Sequence, residues 1–325
     1  MIFSIMIKFN LINLATIFGK KSVFYIKTYI WHFTNFFLIK KIQNIQLYKS
    51  GSEINAVIFS KDRAIQLHAL LSSFFDTKIG ECGAVVIYVA STEAHKKAYD
   101  EVAIIFQKRV KFVEEVLFPS FKSCLVHTVS GFSSGKVFFL VDDILFTEMV
   151  DYQFLSSLDL AETIFSLRMG EHLTYSYVLA SKQPLPKSLE FKKDYLTWKW
   201  REGLFDWGYP LSVDGHIFSI PEVLLWSIHL KYSSPSSFEG SLQRLRSIYL
   251  FKRGMSFRKS RLVNIPANRV QSEVDNFHGL VHQDDLLQKW NDQLAINHSK
   301  FIGWNNYSVH QEADFEFVRR DYNVK

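Results

Sequence analysis

Apolar residues after residue 51 alternate between short continuous runs and longer stretches with helical spacing. The first run, at residues 56–60, is followed over residues 64–75 by apolar positions three and four apart, which predicts a strand and then a helix. The pattern continues with predicted strands at residues 83–92, 109–115 and 136–141 and a predicted helix at residues 93–108. We therefore expect four buried strands that alternate with helices.

The apolar runs are too continuous for strands that are buried on one face only. Such runs are typical of a parallel sheet that helices cover on both faces, and ligands bind beyond the carboxyl ends of its strands. Two polar segments, Lys61-Asp62-Arg63 and Asp142-Asp143, follow the first and the fourth predicted strands. The sequence thus predicts an α/β fold with both segments near a ligand site.

The adjacent carboxylates of Asp142 and Asp143 repel each other, and neither is expected to be buried without a partner. A divalent cation such as Mg²⁺ or Mn²⁺ would hold both, because these ions prefer carboxylate oxygens that they share with substrate phosphates. The alternative is an Asp pair at a turn, capping a helix that begins near Leu145.

Charge is distributed unevenly along the chain, whose formal net charge is +6. Residues 1–51 contain seven lysines, many large apolar residues and no Asp or Glu. Their longest uncharged stretch, residues 28–39, is shorter than the roughly 18 residues that a membrane-spanning helix needs, and no signal-peptide cleavage site follows the first apolar run. The segment fits helices that lie in a membrane interface or that pack on the main domain.

Composition favours a large core and a reducing compartment. The chain is 48% hydrophobic, and its two cysteines, Cys82 and Cys124, provide no disulfide framework. Nucleic acid is not an expected partner, because no dense basic stripe occurs beyond residue 51. We expect three parts: a basic, aromatic-rich segment at residues 1–50, a catalytic domain at 51–290 and a C-terminal tail at 291–325.

Four segments of the sequence together resemble a known enzyme family. They are AVIFSKDRAIQLHALLSSF, FFLVDDILF, DWGYPLSVDGHIF and NIPANRVQ, which lie within residues 54–275. The set resembles a bacterial glycosyltransferase of the GT-A type, of the kind that builds surface polysaccharide such as O-antigen. The resemblance implies a GT-A fold, with a mostly parallel central sheet flanked by helices, and a nucleotide-diphosphate sugar as donor.

The resemblance also implies roles for the segment SKDR. It holds the place at which such enzymes contact the nucleotide, so Ser60, Asp62 and Arg63 are candidates for base or phosphate contact. Many relatives place an Asp near the base at the end of the second strand, where this chain has Ala90 and Ser91. The identity of the base therefore stays open.

The segment VDD is a relaxed form of the Asp-x-Asp motif of these enzymes. It implies Asp142 near the ribose or the metal, and Asp143 on a Mn²⁺ or Mg²⁺ ion. Departure from the strict motif leaves the metal requirement open. A C-terminal histidine often supplies another metal ligand in the family; His278 or His282 would serve, although a surface loop is the alternative for both.

An inverting enzyme of this type needs a carboxylate that takes the proton of the attacking hydroxyl. Glu239 and Asp214 are the two candidates, and the sequence does not rank them. Glu239 would also suit the first turn of a helix, and Asp214 with Gly215 would also form a turn between strands. A retaining enzyme would need no base in this role.

Two arginines and an aromatic cluster complete the candidates. Arg168 and Arg269 would bind the diphosphate or an acidic acceptor, or else form structural salt bridges. A group of aromatic residues would stack on sugar rings in an acceptor cleft or form ordinary core, namely Trp198, Trp200, Trp207 and Tyr209.

The leading hypothesis is a metal-assisted glycosyltransferase (hexosyltransferase type, EC 2.4) that moves a sugar from a nucleotide-diphosphate donor to a hydroxyl of a glycan or lipid-linked acceptor. We expect it in the cytoplasm, with peripheral contact to the inner face of the membrane through residues 1–50. One alternative is a non-catalytic carbohydrate-binding or membrane-associated module. The other is a sugar-phosphate nucleotidyltransferase, which FSKDRAIQ disfavours because it lacks the glycines of a phosphate loop.

Overall fold

The computed structural model describes residues 30, 33, 36–45, 51–133, 135–266 and 283–320. Three candidates from the sequence, Arg269, His278 and His282, lie outside these residues. Most of the predicted N-terminal segment, residues 1–50, also lies outside them.

The chain divides into two compact units, Met1–Leu47 and Tyr48–Lys325. The first contains helix α1 (Phe36–Ile45), in which Ile42 is buried and Phe37 is exposed. Within the described ranges, every helix is too short or too polar to cross a bilayer.

Strands and helices alternate through the first half of the second unit. The strands are β1 (Ile54–Lys61), β2 (Lys78–Ile79), β3 (Gly83–Val89), β4 (Lys111–Glu114), β5 (Lys136–Val141), β6 (Ile144–Phe146), β7 (Val150–Asp151), β8 (Thr163–Ser166), β9 (Tyr175–Ser176), β10 (Ser181–Lys182), β11 (Glu190–Phe191), β12 (Tyr195–Lys199), β13 (His216–Ser219), β14 (Arg253–Phe257), β15 (Leu262–Asn264), β16 (Leu294–Ile296) and β17 (Phe317–Arg319). The helices are α2 (Ala64–Asp76), α3 (Glu93–Phe106), α4 (Phe121–Ser130), α5 (Tyr152–Ser157), α6 (Ile220–His229), α7 (Pro235–Leu242), α8 (Arg246–Tyr249) and α9 (Gln283–Asn291).

Nine strands of the described residues form a central sheet in the order β11-β12-β14-β8-β13-β5-β1-β3-β4. Strands β5, β1, β3 and β4 are parallel to one another, and β8 is parallel to β14. Strand β13 runs antiparallel to both β5 and β8. The predicted α/β fold, with a mostly parallel central sheet flanked by helices, is confirmed, and its four predicted strands are the four at the parallel end.

Helices cover both faces of the parallel strands. Ile58 points to one face, where it joins a hydrophobic cluster with Leu70 of α2. Phe59 points to the other, where its ring lies 5.4 Å from that of Phe121 in α4 and 5.5 Å from that of Phe139 in β5. Because neighbouring residues of one strand are buried on opposite faces, the strand reads as a continuous apolar run.

The antiparallel direction of β13 brings its amino end to the carboxyl end of β5. The backbone N–H of Gly215 donates to the carbonyl of Phe139 at 2.7 Å, and its carbonyl accepts from Leu167 at 2.9 Å. Gly215 has a φ of +73°, and a Cβ there would lie 2.7 Å from the Leu262 side chain, so a larger residue at this position would be strained. The Asp214-Gly215 pair therefore leads into β13 beside the carboxyl end of β5. It does not form a two-residue hairpin, because β13 pairs with β5 and β8.

The tryptophans of the aromatic cluster belong to the core. Trp198, Trp200 and Trp207 expose 1% or less of their surface, and their rings pack on one another with centroids 4.7 and 4.9 Å apart. Sugar stacking by these three is therefore wrong, because no ring face reaches solvent. Tyr209 differs, since it is only partly buried.

The described residues after 291 pack against the rest of the second unit. Strands β16 and β17 pair with each other, and Arg320 binds Glu101 of α3 at 2.9 Å and stacks on Trp290. The segment between β16 and β17 lies beside β15, and the N–H of Asn264 donates to the carbonyl of Val309 at 3.0 Å. This contact brings residues near 310 to the carboxyl edge of the sheet.

Candidate functional site

The carboxylate of Asp142 fastens the ends of β1 and β5 together. It accepts hydrogen bonds from Ser60 Oγ at 2.8 Å, from the backbone N–H of Lys61 at 3.1 Å and from Arg63 Nη1 at 2.9 Å. Asp142 is 4% exposed, so three donors satisfy a nearly buried charge. The aspartate follows β5 directly and the serine stands in β1, so the parallel pairing of these strands creates the contact.

A tyrosine of α3 supports the same end of β1. The hydroxyl of Tyr99 lies 2.6 Å from Ser60 Oγ and accepts from the backbone N–H of Arg63 at 3.0 Å. Burial raises the pKa of this fully buried phenol, so it stays neutral. The sequence reasoning missed Tyr99, which looks like one more apolar position in the helical pattern of α3.

Asp62 links the ends of β1 and β3. Its φ of +55° is unusual for a residue other than glycine, and its N–H donates to the carbonyl of Val89 at 3.1 Å. Both of its carboxylate oxygens accept from Ser91, one from the N–H and one from the hydroxyl, each at 2.7 Å. Asp62 and Ser91, singled out separately in the sequence, thus form one structural link at the site edge.

Asp143 is held less completely than Asp142. Its Oδ1 accepts from Asn264 Nδ2 at 2.9 Å, and its Oδ2 lies 3.3 Å from Arg63 Nη1. Burial raises the pKa of Asp143 to about 7; Arg63 opposes this rise, and the charges of Asp142 and Asp214 add to it. The site therefore carries more negative charge than Arg63 alone compensates.

Asn264 and His310 reach the site from distant parts of the chain. Asn264 ends β15, which pairs with β6 so that Asn264 lies opposite Ile144. His310 forms an isolated bridge with Asn264, and its Nε2 lies 3.8 Å from Asp214 Oδ2. Burial, reinforced by Arg168, lowers the pKa of His310 to about 3, so the imidazole is neutral at pH 7. Asn264 is the first residue of the motif NIPANRVQ, whereas no signal in the sequence pointed to His310.

Arg168 is paired with carboxylates inside the protein. Its Nη1 donates to Asp214 Oδ2 at 3.1 Å and to Ser212 Oγ at 2.7 Å, and its Nη2 donates to Asp206 at 2.9 Å. The arginine follows β8 by two residues and is 4% exposed. These contacts match the structural salt bridge that the sequence offered as an alternative, and they fix the position of Asp214.

The two base candidates, Asp214 and Glu239, lie in one electrostatic cluster. Burial raises the pKa of Asp214 to about 7, against the opposing charge of Arg168 and with help from Glu239. Burial also raises the pKa of Glu239, whose carboxylate bonds to Ser212, to the backbone of Val213 and to Tyr209. Glu239 stands in the second turn of α7, not in the first turn as the alternative interpretation had it.

The residues at this edge fit a divalent cation in one respect and not in another. Around the site, five carboxylates face two guanidinium groups, and the members are Asp142, Asp143, Asp206, Asp214 and Glu239 with Arg63 and Arg168. Among the described residues, no three His, Cys, Asp or Glu side chains surround a common metal position. Mg²⁺ needs no such cage, since it is usually held by one or two carboxylates together with substrate phosphates. Asp143 fits that kind of site.

Comparison with known proteins gives one curated relative of the greater part of the chain. The chain is 25% identical over 297 residues to the bifunctional glycosyltransferase pgtA of Dictyostelium discoideum, and the alignment covers 79% of this chain. The chain corresponds to 38% of the length of that relative. No family model matches the chain.

Two solved structures show weaker likeness. One is the mannosyltransferase PcManGT from Pyrobaculum calidifontis in complex with GDP-Man and Mn²⁺, with a TM-score of 0.29, 14% identity and coverage of 46% of this chain and 51% of that one. The other is S. aureus TarS, residues 1–349, with a TM-score of 0.37, 11% identity and coverage of 70% and 60%.

Proposed function

We propose that this chain is a glycosyltransferase that moves a sugar from a nucleotide-diphosphate donor to a hydroxyl of an acceptor. The observation that carries the proposal is the cluster at the carboxyl edge of the sheet, where Arg63, Asp143 and Asp214 converge from three strand ends. The similarity to the curated glycosyltransferase supports it independently.

In this proposal the donor diphosphate lies beside Arg63 and Asp143. The guanidinium binds phosphate oxygens well because its planar fork of N–H groups matches them. Asp143 would hold a Mn²⁺ or Mg²⁺ ion, and that ion would neutralise the charge of the departing diphosphate. Asp142, with three donors already on its carboxylate, keeps Arg63 and the end of β1 in position.

Asp214 is the stronger of the two base candidates. Arg168 holds its Oδ2, and its pKa of about 7 makes it a carboxylate that can take a proton near neutral pH. The acceptor hydroxyl gives its proton to Asp214, and its oxygen bonds to the anomeric carbon. The bond from that carbon to the diphosphate breaks, and the diphosphate keeps the electron pair. The proposal thus implies inversion at the sugar.

Glu239 is better placed to bind than to accept a proton. Its carboxylate already has Ser212, Tyr209 and the backbone of Val213 as partners. We propose that it and Tyr209 contact the acceptor or the donor sugar at the side of Asp214. Ser60 and Asp62 are proposed to shape the nucleotide pocket through their contacts with Asp142 and Ser91, and Arg269 stays a proposed diphosphate ligand on sequence grounds alone.

The biological setting belongs to the same proposal. We propose a glycan or lipid-linked acceptor in surface-polysaccharide synthesis of the bacterial kind. The enzyme would work in the cytoplasm near the inner face of the membrane, with residues 1–50 as its contact. These features come from the basic N-terminal segment and from the sequence resemblance.

A panel of nucleotides tests the proposal. Thermal unfolding is measured with UDP, GDP, dTDP and CMP, with the matching sugar nucleotides, and with and without Mn²⁺. We expect one diphosphate nucleotide to raise the melting temperature, more strongly with Mn²⁺, in the wild type and not in Asp143→Asn. Asp194→Asn, at an exposed position, is the control. A panel without any shift would favour a binding module that needs no nucleotide.

A further inference from the structure

Arg63 occupies the space between the two adjacent aspartates. A single atom, Nη1, lies 2.9 Å from Asp142 Oδ1 and 3.3 Å from Asp143 Oδ2. The arginine side chain is 10% exposed and the two carboxylates are 5% and 12% exposed, so bulk water screens these charges little. Arg63 is therefore the nearest described cation to the oxygens on which a metal-binding role for Asp143 depends.

The two contacts of Arg63 are unequal. Asp142 has the shorter contact and two further donors, Ser60 and the backbone of Lys61. Asp143 has the longer contact at Oδ2 and one side-chain donor, Asn264, at Oδ1. The contact between Arg63 and Asp143 is thus the one that can be exchanged with the least disturbance of β1.

We infer that Arg63 serves as the counter-cation of Asp143 when no metal is bound. Arg63 must release Asp143 before a divalent cation binds to the carboxylate of Asp143. Two cations repel each other at one carboxylate oxygen, so an ion at Oδ2 and Nη1 at 3.3 Å compete for the same charge. The inference rests on the proposed function for its consequence, namely that the released guanidinium turns to the donor diphosphate while it keeps Asp142.

This exchange makes the binding of metal and diphosphate cooperative. Without the donor, Arg63 stays on Asp143 and the affinity for the metal is weak. A diphosphate offers Arg63 a new anionic partner, which frees Asp143 for the ion. Each ligand then raises the affinity for the other by the same factor, as linkage requires.

Mn²⁺ binding, measured by electron paramagnetic resonance on the full chain without nucleotide, tests the inference. Arg63→Gln removes the competing charge, so we expect it to bind Mn²⁺ at least tenfold more tightly than the wild type does. Arg63→Lys keeps the charge on a more flexible side chain and is expected to stay close to the wild type. Arg258→Gln, which removes an exposed arginine paired with Glu171, is the matched control and should not change the affinity.

The second measurement adds UDP or GDP, whichever binds. In the wild type the nucleotide should raise the Mn²⁺ affinity by a measurable factor. In Arg63→Gln the logarithm of this factor should be less than half of its wild-type value. Equal or weaker Mn²⁺ binding by a folded Arg63→Gln protein would overturn the inference, and so would a full enhancement.

Asp143→Asn separates this inference from the proposed function. If Asp143→Asn binds Mn²⁺ as tightly as the wild type does, the ion lies elsewhere and the proposed metal position is wrong. If Asp143→Asn loses the ion but Arg63→Gln does not gain affinity, the proposed function stands and Arg63 is no competitor. Circular dichroism spectra and melting temperatures confirm that each variant is folded.

Discussion

Asn264 donates a hydrogen bond of 2.9 Å from Nδ2 to Oδ1 of Asp143, joining side chains 121 residues apart. The bond is reinforced by the backbone, since the N–H of Ile265 donates to the carbonyl of Asp143 at 2.8 Å. Together these contacts set the orientation of the carboxylate that is proposed to bind the metal. Asn264 is therefore a positioning residue.

Replacing Asn264 with Ala should weaken Mn²⁺ binding about 10- to 100-fold, because residues that orient a metal ligand typically contribute that much. Asn264→Asp would place another negative charge beside Asp143, so its effect on the Mn²⁺ affinity should differ from that of Asn264→Ala. Comparing the two variants separates the loss of orientation from a change of charge. The control is Asn297→Ala, which removes an exposed amide that donates to Glu316. Unchanged Mn²⁺ affinity in Asn264→Ala would show that the bond does not orient Asp143.

Asp214→Asn should lower the turnover of the transferase by about 10²- to 10⁴-fold, the usual contribution of a general base. The affinity for the donor nucleotide should change little. Because the pKa of Asp214 is about 7 and the base must be ionised, the wild-type rate should rise with pH through about 7. Steady-state kinetics from pH 5 to 9 measure both effects.

Glu239→Gln is the matched comparison for Asp214→Asn. It should raise the KM for the acceptor or the donor more than it lowers kcat, because Glu239 is assigned to binding. A larger loss of kcat in Glu239→Gln than in Asp214→Asn would exchange the two assignments.

Arg168→Met should lower the free energy of unfolding by about 3–5 kcal/mol, because it leaves the buried Asp214 and the partly buried Asp206 without their cation. Arg168 is 4% exposed and pairs with both Asp206 and Asp214. Arg258→Met, at an exposed ion pair, should cost about 0–1 kcal/mol. Urea unfolding at pH 7.5 gives both values, and equal losses would contradict the buried pairing of Arg168.

His68 makes the fold sensitive to acid. Its ring packs between Phe106 and Trp290, and burial, with smaller contributions from His298 and Arg320, lowers its pKa to about 3. At this residue the unfolded chain therefore binds more protons than the folded one between pH 6.5 and 3. The contribution of His68 to stability is fully present above pH 6.5 and falls by about 1.4 kcal/mol for each pH unit from there down to about pH 3.

The variant His68→Phe keeps an aromatic ring in this position and removes the titrating group. Its free energy of unfolding should fall less steeply than that of the wild type from pH 6.5 to 4.5. Parallel slopes for the two proteins, measured by urea unfolding at several pH values, would show that His68 does not titrate in this way.

The parallel half of the fold was predictable because its signals are local. The apolar runs that became β1, β3 and β5 are buried on both faces, whereas β4 is a half-buried strand at the edge of the sheet, not a fully buried strand as expected. Asp142-Asp143 follows β5 directly, so its place at the carboxyl edge of the sheet could be predicted from the sequence. The partners of these aspartates were less accessible. The pairing of β15 with β6 places Asn264 at the site, and a bridge to Asn264 places His310 there. Neither contact can be predicted from the local spacing of residues.

The tryptophan-rich segment shows the opposite limit. A tryptophan in the sequence is compatible with a sugar-binding cleft and with a hydrophobic core. The packing of the fold shows that Trp198, Trp200 and Trp207 belong to the core. Arg168 is similar, because a buried ion pair and a phosphate ligand use the same guanidinium. In both cases burial, a property of the whole fold, separates interpretations that the sequence left open.

The measurement that tests the central claim most directly is a crystal structure of the full chain with Mn²⁺ and the nucleoside diphosphate that gives the largest thermal shift. The account predicts an anomalous manganese peak about 2.1 Å from a carboxylate oxygen of Asp143, with a phosphate oxygen on the same ion and the Arg63 guanidinium at the diphosphate. Manganese or nucleotide bound away from the carboxyl ends of β1 and β5, with Arg63 still on Asp143, would contradict it.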